Sequence, residues 1–244
     1  MENKDRTLGE GIARQELQLI FIIDNSGSME GEKIGAVNNA IRDVMSMMPE
    51  VQEDTADATI KISALKFSDE AKWVYSEPQT VNEFKWKDLK SEGGTNLSSA
   101  YDELAKWLCK KEKGGKMPDI GGVAPILILM TDGMPTSYDW ENHLAILKHK
   151  GWFKVALKYA LAIGIDTDEA MDVLRKFTGN PETVLKVYTA EALRKVIKVI
   201  AVTASKVKSN SASAGYGGAL GASNNDVAKN EIAEKLDDIQ DVEW

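Results

Sequence analysis

Two nearly unbroken apolar runs, residues 17–23 (LQLIFII) and 125–131 (PILILMT), decide the class of fold open to this chain. Runs of this length without polar alternation are the mark of strands buried on both faces, and such strands need helices above and below their sheet. The helical stretches are there. Ile34, Val37, Ile41, Val44 and Met48 recur at helical spacing, which predicts a helix over residues 33–48 with Pro49 at its end. Leu97, Tyr101, Leu104, Leu108 and Cys109 share one face of a predicted helix over 96–111. Further strands are expected at 59–67, 155–163 and 184–187, with a short edge strand at 72–75, and helices at 140–149, 168–177 and 190–207. Strands alternating with helices imply an α/β fold: a doubly wound, mostly parallel central sheet with helices on both faces and one short antiparallel edge strand. In such sheets ligands bind beyond the carboxyl ends of the strands, where the strand order switches.

Beyond residue 207 the character changes. Residues 208–225 are rich in Gly, Ser, Ala and Asn and lack an apolar period, which predicts a flexible linker. Ile232, Leu236 and Ile239 then restore a helical pattern among acids, so 226–244 reads as an acidic amphipathic segment separate from the domain at 17–207. That segment holds seven acids and two lysines, net −5 of the −8 carried by the whole chain. The remainder is near balance. An acidic chain of this kind does not neutralise phosphates, which argues against a nucleic-acid partner. A single cysteine permits neither an internal disulfide nor a zinc ribbon and suits a reducing compartment. The first sixteen residues read as a charged N-terminal arm without a signal-peptide pattern, and the apolar runs are too short to span a bilayer. The expected location is the cytoplasm, with no membrane partner.

Three loops open with oxygen-bearing side chains as they leave or approach these elements. Asp24-Asn25-Ser26-Gly27-Ser28 follows the first apolar run, Gly93-Gly94-Thr95-Asn96 precedes a helix, and Thr131-Asp132-Gly133 closes the second run. A carboxylate and two hydroxyls at spacings of two can curl around one small cation, and an all-oxygen donor set selects a hard ion: Mg²⁺, with Mn²⁺ or Ca²⁺ as substitutes. Asp-x-Ser-x-Ser, a distant Gly-Gly-Thr, and Thr-Asp-Gly, in that order, resemble the metal-ion-dependent adhesion site (MIDAS) of von Willebrand factor A (VWA) domains. The resemblance covers about residues 15–206. More narrowly, GEKIGAVNNAI, ALKFSDEAK and LMTDGMPT are similar to the bacterial TerY-type proteins associated with tellurite and stress resistance. The resemblance implies metal coordination by Asp24, Ser26 and Ser28, with Thr95 in reach and Asp132 bound directly or through water. It also implies an adaptor role beside a protein kinase and a phosphatase.

Such a site is expected to bind rather than to react. Two aspartates roughly balance a divalent charge, and Mg²⁺ commonly keeps exchangeable waters that a partner's Asp or Glu can replace. The parts an enzyme needs are harder to find. Two residues after Asp24 stands Ser26, where an aspartyl-phosphate phosphatase loop has a second Asp, and no P-loop exists. His143 and His149 have no legible partner and read as surface or half-buried helix residues. A metal-dependent hydrolase or phosphatase remains one alternative. A self-assembling structural protein, with its site occupied inside an oligomer, is another. Met29, Glu30, Asn96, Met134, Tyr138 and Trp140 flank the three loops and are expected to form a partner-binding rim, Trp140 equally well packing the start of its helix.

Overall fold

The computed structural model describes residues 15–54, 58–165, 167–210, 220–237 and 242–243. Five parallel strands form the centre of one sheet: β1 (Gln15–Asp24), β2 (Ala58–Phe67), β5 (Ile126–Thr131), β6 (Leu157–Ile163) and β7 (Val184–Val187). Their order across the sheet is β2-β1-β5-β6-β7. Antiparallel strands border them. β3 (Ala71–Trp73) and β4 (Gln79–Thr80) pair with β2, and β8 (Val242–Glu243) pairs with β7.

Alternation along β1 divides the core in two. Leu17, Leu19, Phe21 and Ile23 face a cluster that includes α1 (Glu32–Glu53), α6 (Ala190–Asn210) and α7 (Leu220–Asp237). Ile20 and Ile22 face the opposite cluster, which includes α2 (Leu97–Trp107), α3 (Trp140–Lys148), α4 (Gly151–Val155) and α5 (Asp168–Thr178). Every residue of β5 is buried, as a central parallel strand requires. The chain leaves β1 toward one face and β5 toward the other, so the switch in strand order falls between the ends of these two neighbours.

Several boundaries depart from the sequence pattern. α1 continues through Pro49, although proline removes a helical hydrogen bond and crowds the preceding turn. Two contacts hold the last turn in place. Val51 is buried, and Gln52 clamps the start of β2, its Nε2 donating to the Ala58 carbonyl (2.9 Å) and its Oε1 accepting from Ile60 N (2.6 Å). α2 stops at Trp107, and Lys111–Lys113 forms a separate 3-10 turn. Val155, the first residue of the expected strand at 155–163, belongs instead to α4, and β6 begins at Leu157.

The C-terminal expectation needs correction. α7 begins at Leu220, inside the segment whose composition predicts a linker, and residues 208–210 still belong to α6. Only 211–219 of that segment lie outside the described residues. Nor does α7 stand apart from the domain: Ala228, Ile232 and Leu236 are buried in the same cluster as α1 and α6. The burial of that face, at the helical spacing the sequence shows, outweighs the weak local propensity of the preceding Ser- and Asn-rich turns. Ile239, Asp238 and Asp241 lie outside the described residues, as does the N-terminal arm up to residue 14, whereas Gln15 and Glu16 belong to β1. Among the described residues no helix is long and apolar enough to cross a membrane.

Candidate metal centre

β1 ends on Asp24, whose side chain is completely buried at the switch between β1 and β5. One carboxylate oxygen accepts from Ser26 N (2.8 Å), and the other accepts from the Thr131 hydroxyl at the end of β5 (2.5 Å). The chain then turns sharply. Asn25 N donates to the Phe67 carbonyl at the end of β2 (2.9 Å), and Gly27–Met29 forms a 3-10 turn that delivers the chain to α1. This turn drives Met29 into the core, where its exposure is 0%. Met29 is therefore an anchor for the first loop, not a rim residue.

The second loop is fixed from three sides. An irregular stretch leads into it, tied down by Asn38 of α1, which pairs with both N–H and C=O of Leu89 (2.9 and 3.0 Å). Asn25 adds a bond from its Nδ2 to the Lys90 carbonyl (3.0 Å). Gly93 has φ +66°, a conformation that favours glycine, and an added Cβ would lie 2.4 Å from Asp69 Oδ2 and displace that carboxylate. Asp69 Oδ1 accepts from Gly94 N (2.7 Å), and Gly93 O accepts from Gly27 N (2.9 Å), joining the second loop to the first. Thr95 is buried and exchanges two bonds with Thr136 of the third loop, through Thr136 N to Thr95 O (2.9 Å) and Thr95 N to Thr136 Oγ1 (3.2 Å). Asn96 caps α2, its side chain accepting from Ser99 N (3.1 Å) while its Nδ2 donates to the Asp69 carbonyl (2.9 Å). Both ends of that amide are committed to local structure, while Asn96 itself stays half-exposed.

A run of polar contacts crosses the crown. Ser26 Oγ and Ser28 Oγ are 3.0 Å apart, and Ser28 Oγ donates to Asp132 Oδ1 (2.7 Å). The Lys33 ammonium, from the first turn of α1, pairs with Asp132 Oδ2. Burial pushes the Asp24 carboxyl above its ordinary value. Hydrogen bonds from Ser26 and Thr131 pull against that shift, and the nearby Asp132 charge adds to it. With Lys33 balancing Asp132, the buried Asp24 carboxylate is left with hydrogen bonds but no cation of its own.

The residues present suit a divalent ion of the hard class. Asp24 and Asp132 supply two negative charges, and Ser26, Ser28 and Thr95 supply neutral hydroxyl oxygens from loops bonded to one another. Among the described residues there is no group of three or more His, Cys, Asp or Glu side chains able to hold an ion, so a metal here relies on hydroxyls as well as carboxylates. That donor set favours Mg²⁺, Mn²⁺ or Ca²⁺ over the metals that prefer sulfur and imidazole.

Around the crown, Glu30 is exposed, Met134 is 47% exposed and Tyr138 is fully exposed. Trp140 packs against the α2–α5 cluster with the Lys176 ammonium 5.6 Å from its ring centre, so of its two expected roles it takes the packing one. His143 has partners that the sequence conceals. Its Nδ1 lies 2.7 Å from Asp102 of α2, and its Nε2 lies 3.1 Å from Asp139, which precedes α3. The Ser98 hydroxyl donates to Asp139 (2.9 Å) rather than to the imidazole, so Ser98 and His143 do not form a nucleophile–base pair. Cys109 is half-buried on α2's trailing turn, its Sγ 3.4 Å from the Ala105 carbonyl.

Residues 18–200 match the family model of the von Willebrand factor type A domain. The chain belongs to this family. Human inter-alpha-trypsin inhibitor heavy chain H4 is 28% identical over 134 residues, covering 52% of this chain and 13% of that protein. The Bos taurus protein of the same name is 32% identical over 126 residues, covering 48% and 13%. This VWA chain thus spans a small fraction of the length of the curated relatives it matches. Among solved structures, a von Willebrand factor type A protein from Catenulispora acidiphila superposes with a TM-score of 0.55 at 16% identity, covering 79% of this chain and 43% of that one. Proximal thread matrix protein 1 of the mussel byssus, solved with a zinc-occupied MIDAS motif, gives a TM-score of 0.56 at 15% identity, covering 79% and 46%. These likenesses establish the VWA fold, and the mussel protein's own MIDAS motif holds zinc.

Proposed function

We propose that this VWA domain is a protein-binding module that captures a partner's carboxylate through a divalent ion, Mg²⁺ in the cell, held by Asp24, Ser26, Ser28, Thr95 and Asp132. One observation carries the reading: the buried carboxylate of Asp24 at the end of β1 and the covered side chain of Asp132 just beyond β5 face a crown whose remaining donors are hydroxyls. A bound divalent ion supplies a Lewis-acidic receptor for an anionic oxygen. The chain's own contribution is to fix the three loops through their mutual hydrogen bonds and to present Met134 and Tyr138 beside them. Tyr138, a large exposed aromatic on the loop that follows Asp132, suits an interface anchor. The absence of a paired nucleophile and base among Ser98, Asp139 and His143 supports binding over hydrolysis.

The short phrases shared with TerY-type proteins extend this proposal to a cytoplasmic adaptor in a bacterial stress response, with a kinase or phosphatase as its partner. Immobilised protein exposed to lysate in Mg²⁺, and again in EDTA, tests the module, with captured proteins identified by mass spectrometry. Capture is expected to depend on the ion, to fall in excess free acetate, and to fall in Tyr138→Ala. Capture indifferent to chelator, acetate and Tyr138 would place the binding surface elsewhere.

A further inference from the structure

Lys33 stands at the start of α1, one turn beyond the loop that carries Ser26 and Ser28. Its stem runs beside Gly164, where an added Cβ would sit 3.8 Å from Lys33 Cε, and its ammonium reaches across the crown. There it pairs with Asp132 Oδ2 and donates to the Ser28 carbonyl (3.3 Å). The other oxygen of Asp132 takes the Ser28 hydroxyl (2.7 Å). The side chain of Asp132 is consequently 0% exposed, while that of Lys33 remains 39% exposed. A carboxylate intended for a metal is thus fully engaged, by a cation on a flexible arm that can swing into water.

We propose that Lys33 is a tethered counter-ion that holds Asp132 until a divalent ion replaces it, so that loading the centre is an exchange of one cation for another. The inference rests on the metal-binding reading above and adds a residue that sets the affinity of the centre. Asp24, Asp132 and Lys33 together carry a net charge of −1. A divalent ion arriving with the ammonium in place would leave the centre positive, and the two cations would compete for one carboxylate at short range, where repulsion is weakly screened. With the ammonium withdrawn, the two aspartates and the ion are neutral. Lysine suits this role better than arginine, because its compact charge rides on a flexible stem and regains full hydration when it leaves. In the absence of metal, the same contact spares the domain an unpaired Asp132 carboxylate.

Calorimetric titration with Mn²⁺ and thermal melts in EDTA and in saturating Mn²⁺ test the exchange in wild type, Lys33→Met and Lys33→Arg. Lys33→Met, which keeps the stem and loses the charge, is expected to bind Mn²⁺ about tenfold more tightly than wild type, or about 1.4 kcal/mol. Lys33→Arg is expected to show no such gain. In EDTA, Lys33→Met is expected to melt below wild type, and saturating Mn²⁺ is expected to close that gap. Unchanged or weaker Mn²⁺ binding in Lys33→Met, with wild type binding normally, overturns the exchange and leaves the metal centre standing. A melting gap that persists in Mn²⁺ makes the contact an ordinary structural ion pair and also overturns it. Failure of all three proteins to bind Mn²⁺ overturns both the exchange and the metal reading.

Discussion

Replacing Ile232 with alanine probes whether α7 belongs to the domain. Ile232 is completely buried, with Ala228 and Leu236 on the same face, in the cluster shared by α1, α6 and β1. Lys235 adds a bond from α7 to the Thr203 hydroxyl of α6 (3.1 Å). Truncating a fully buried isoleucine removes its transfer free energy and leaves a cavity, at a cost of about 2–5 kcal/mol. Against a total stability of about 5–15 kcal/mol, that is a large fraction. Taking about 3 kcal/mol, and about 2–4 °C of midpoint per kcal/mol for a chain of this size, the melting temperature falls by about 6–12 °C. Differential scanning calorimetry measures it, with Val227→Ala as the control. Val227 neighbours this face but is 52% exposed, so its truncation costs less than about 0.5 kcal/mol. An Ile232→Ala protein that melts within a degree of the Val227→Ala control would refute the reasoning and return the segment to an independent appendage.

Gly93→Ala forces a side chain onto a left-handed backbone, at about 1–2 kcal/mol, and against the Asp69 carboxylate that holds Gly94. Lower thermal stability and at least tenfold weaker Mn²⁺ binding are expected together, and normal values of both would show that the second loop does not position the centre. His143 supplies a pH dependence. The hydrogen bond that its ring donates to Asp102 raises the imidazole above its ordinary 6.5, opposed by partial burial and reinforced by Asp139. A histidine whose folded value is raised stabilises fully below its unfolded value and loses that contribution as pH rises through the folded one. The stability of wild type relative to His143→Gln is therefore expected to be greatest near pH 5.5 and to shrink above 6.5, as read from denaturant unfolding at a series of pH values. Parallel curves for the two proteins would mean that the imidazole does not tie α2 to α3.

The class of fold and the three site loops were legible because their signals are local. Burial on both faces leaves β1 and β5 without polar alternation, and strand ends that open into Asp, Ser and Thr at short spacing mark an oxygen site. What remained hidden depends on partners distant in sequence. Asp69 lies between the two strands expected at 59–67 and 72–75 with nothing to single it out, yet it fixes Gly94. Thr136 becomes a strut only when the third loop folds against Thr95. Lys33 was visible as the first residue of a helix, but its reach to Asp132 depends on how that helix departs from the sheet. Met29 looked like rim because it follows the loop, and the 3-10 turn reverses its direction into the core. Composition misplaced the C-terminal boundary for the same reason. A Ser- and Asn-rich segment reads as linker until a buried face farther along fixes it as helix.

The central claim is that one divalent ion binds between Asp24 and Asp132. Calorimetric titration of Mn²⁺ into wild type and Asp24→Ala, each first stripped with EDTA and checked for folding by circular dichroism, tests it most directly. The account predicts a single site per chain in wild type and no measurable site in a folded Asp24→Ala protein. Equal Mn²⁺ binding by both folded proteins would contradict it.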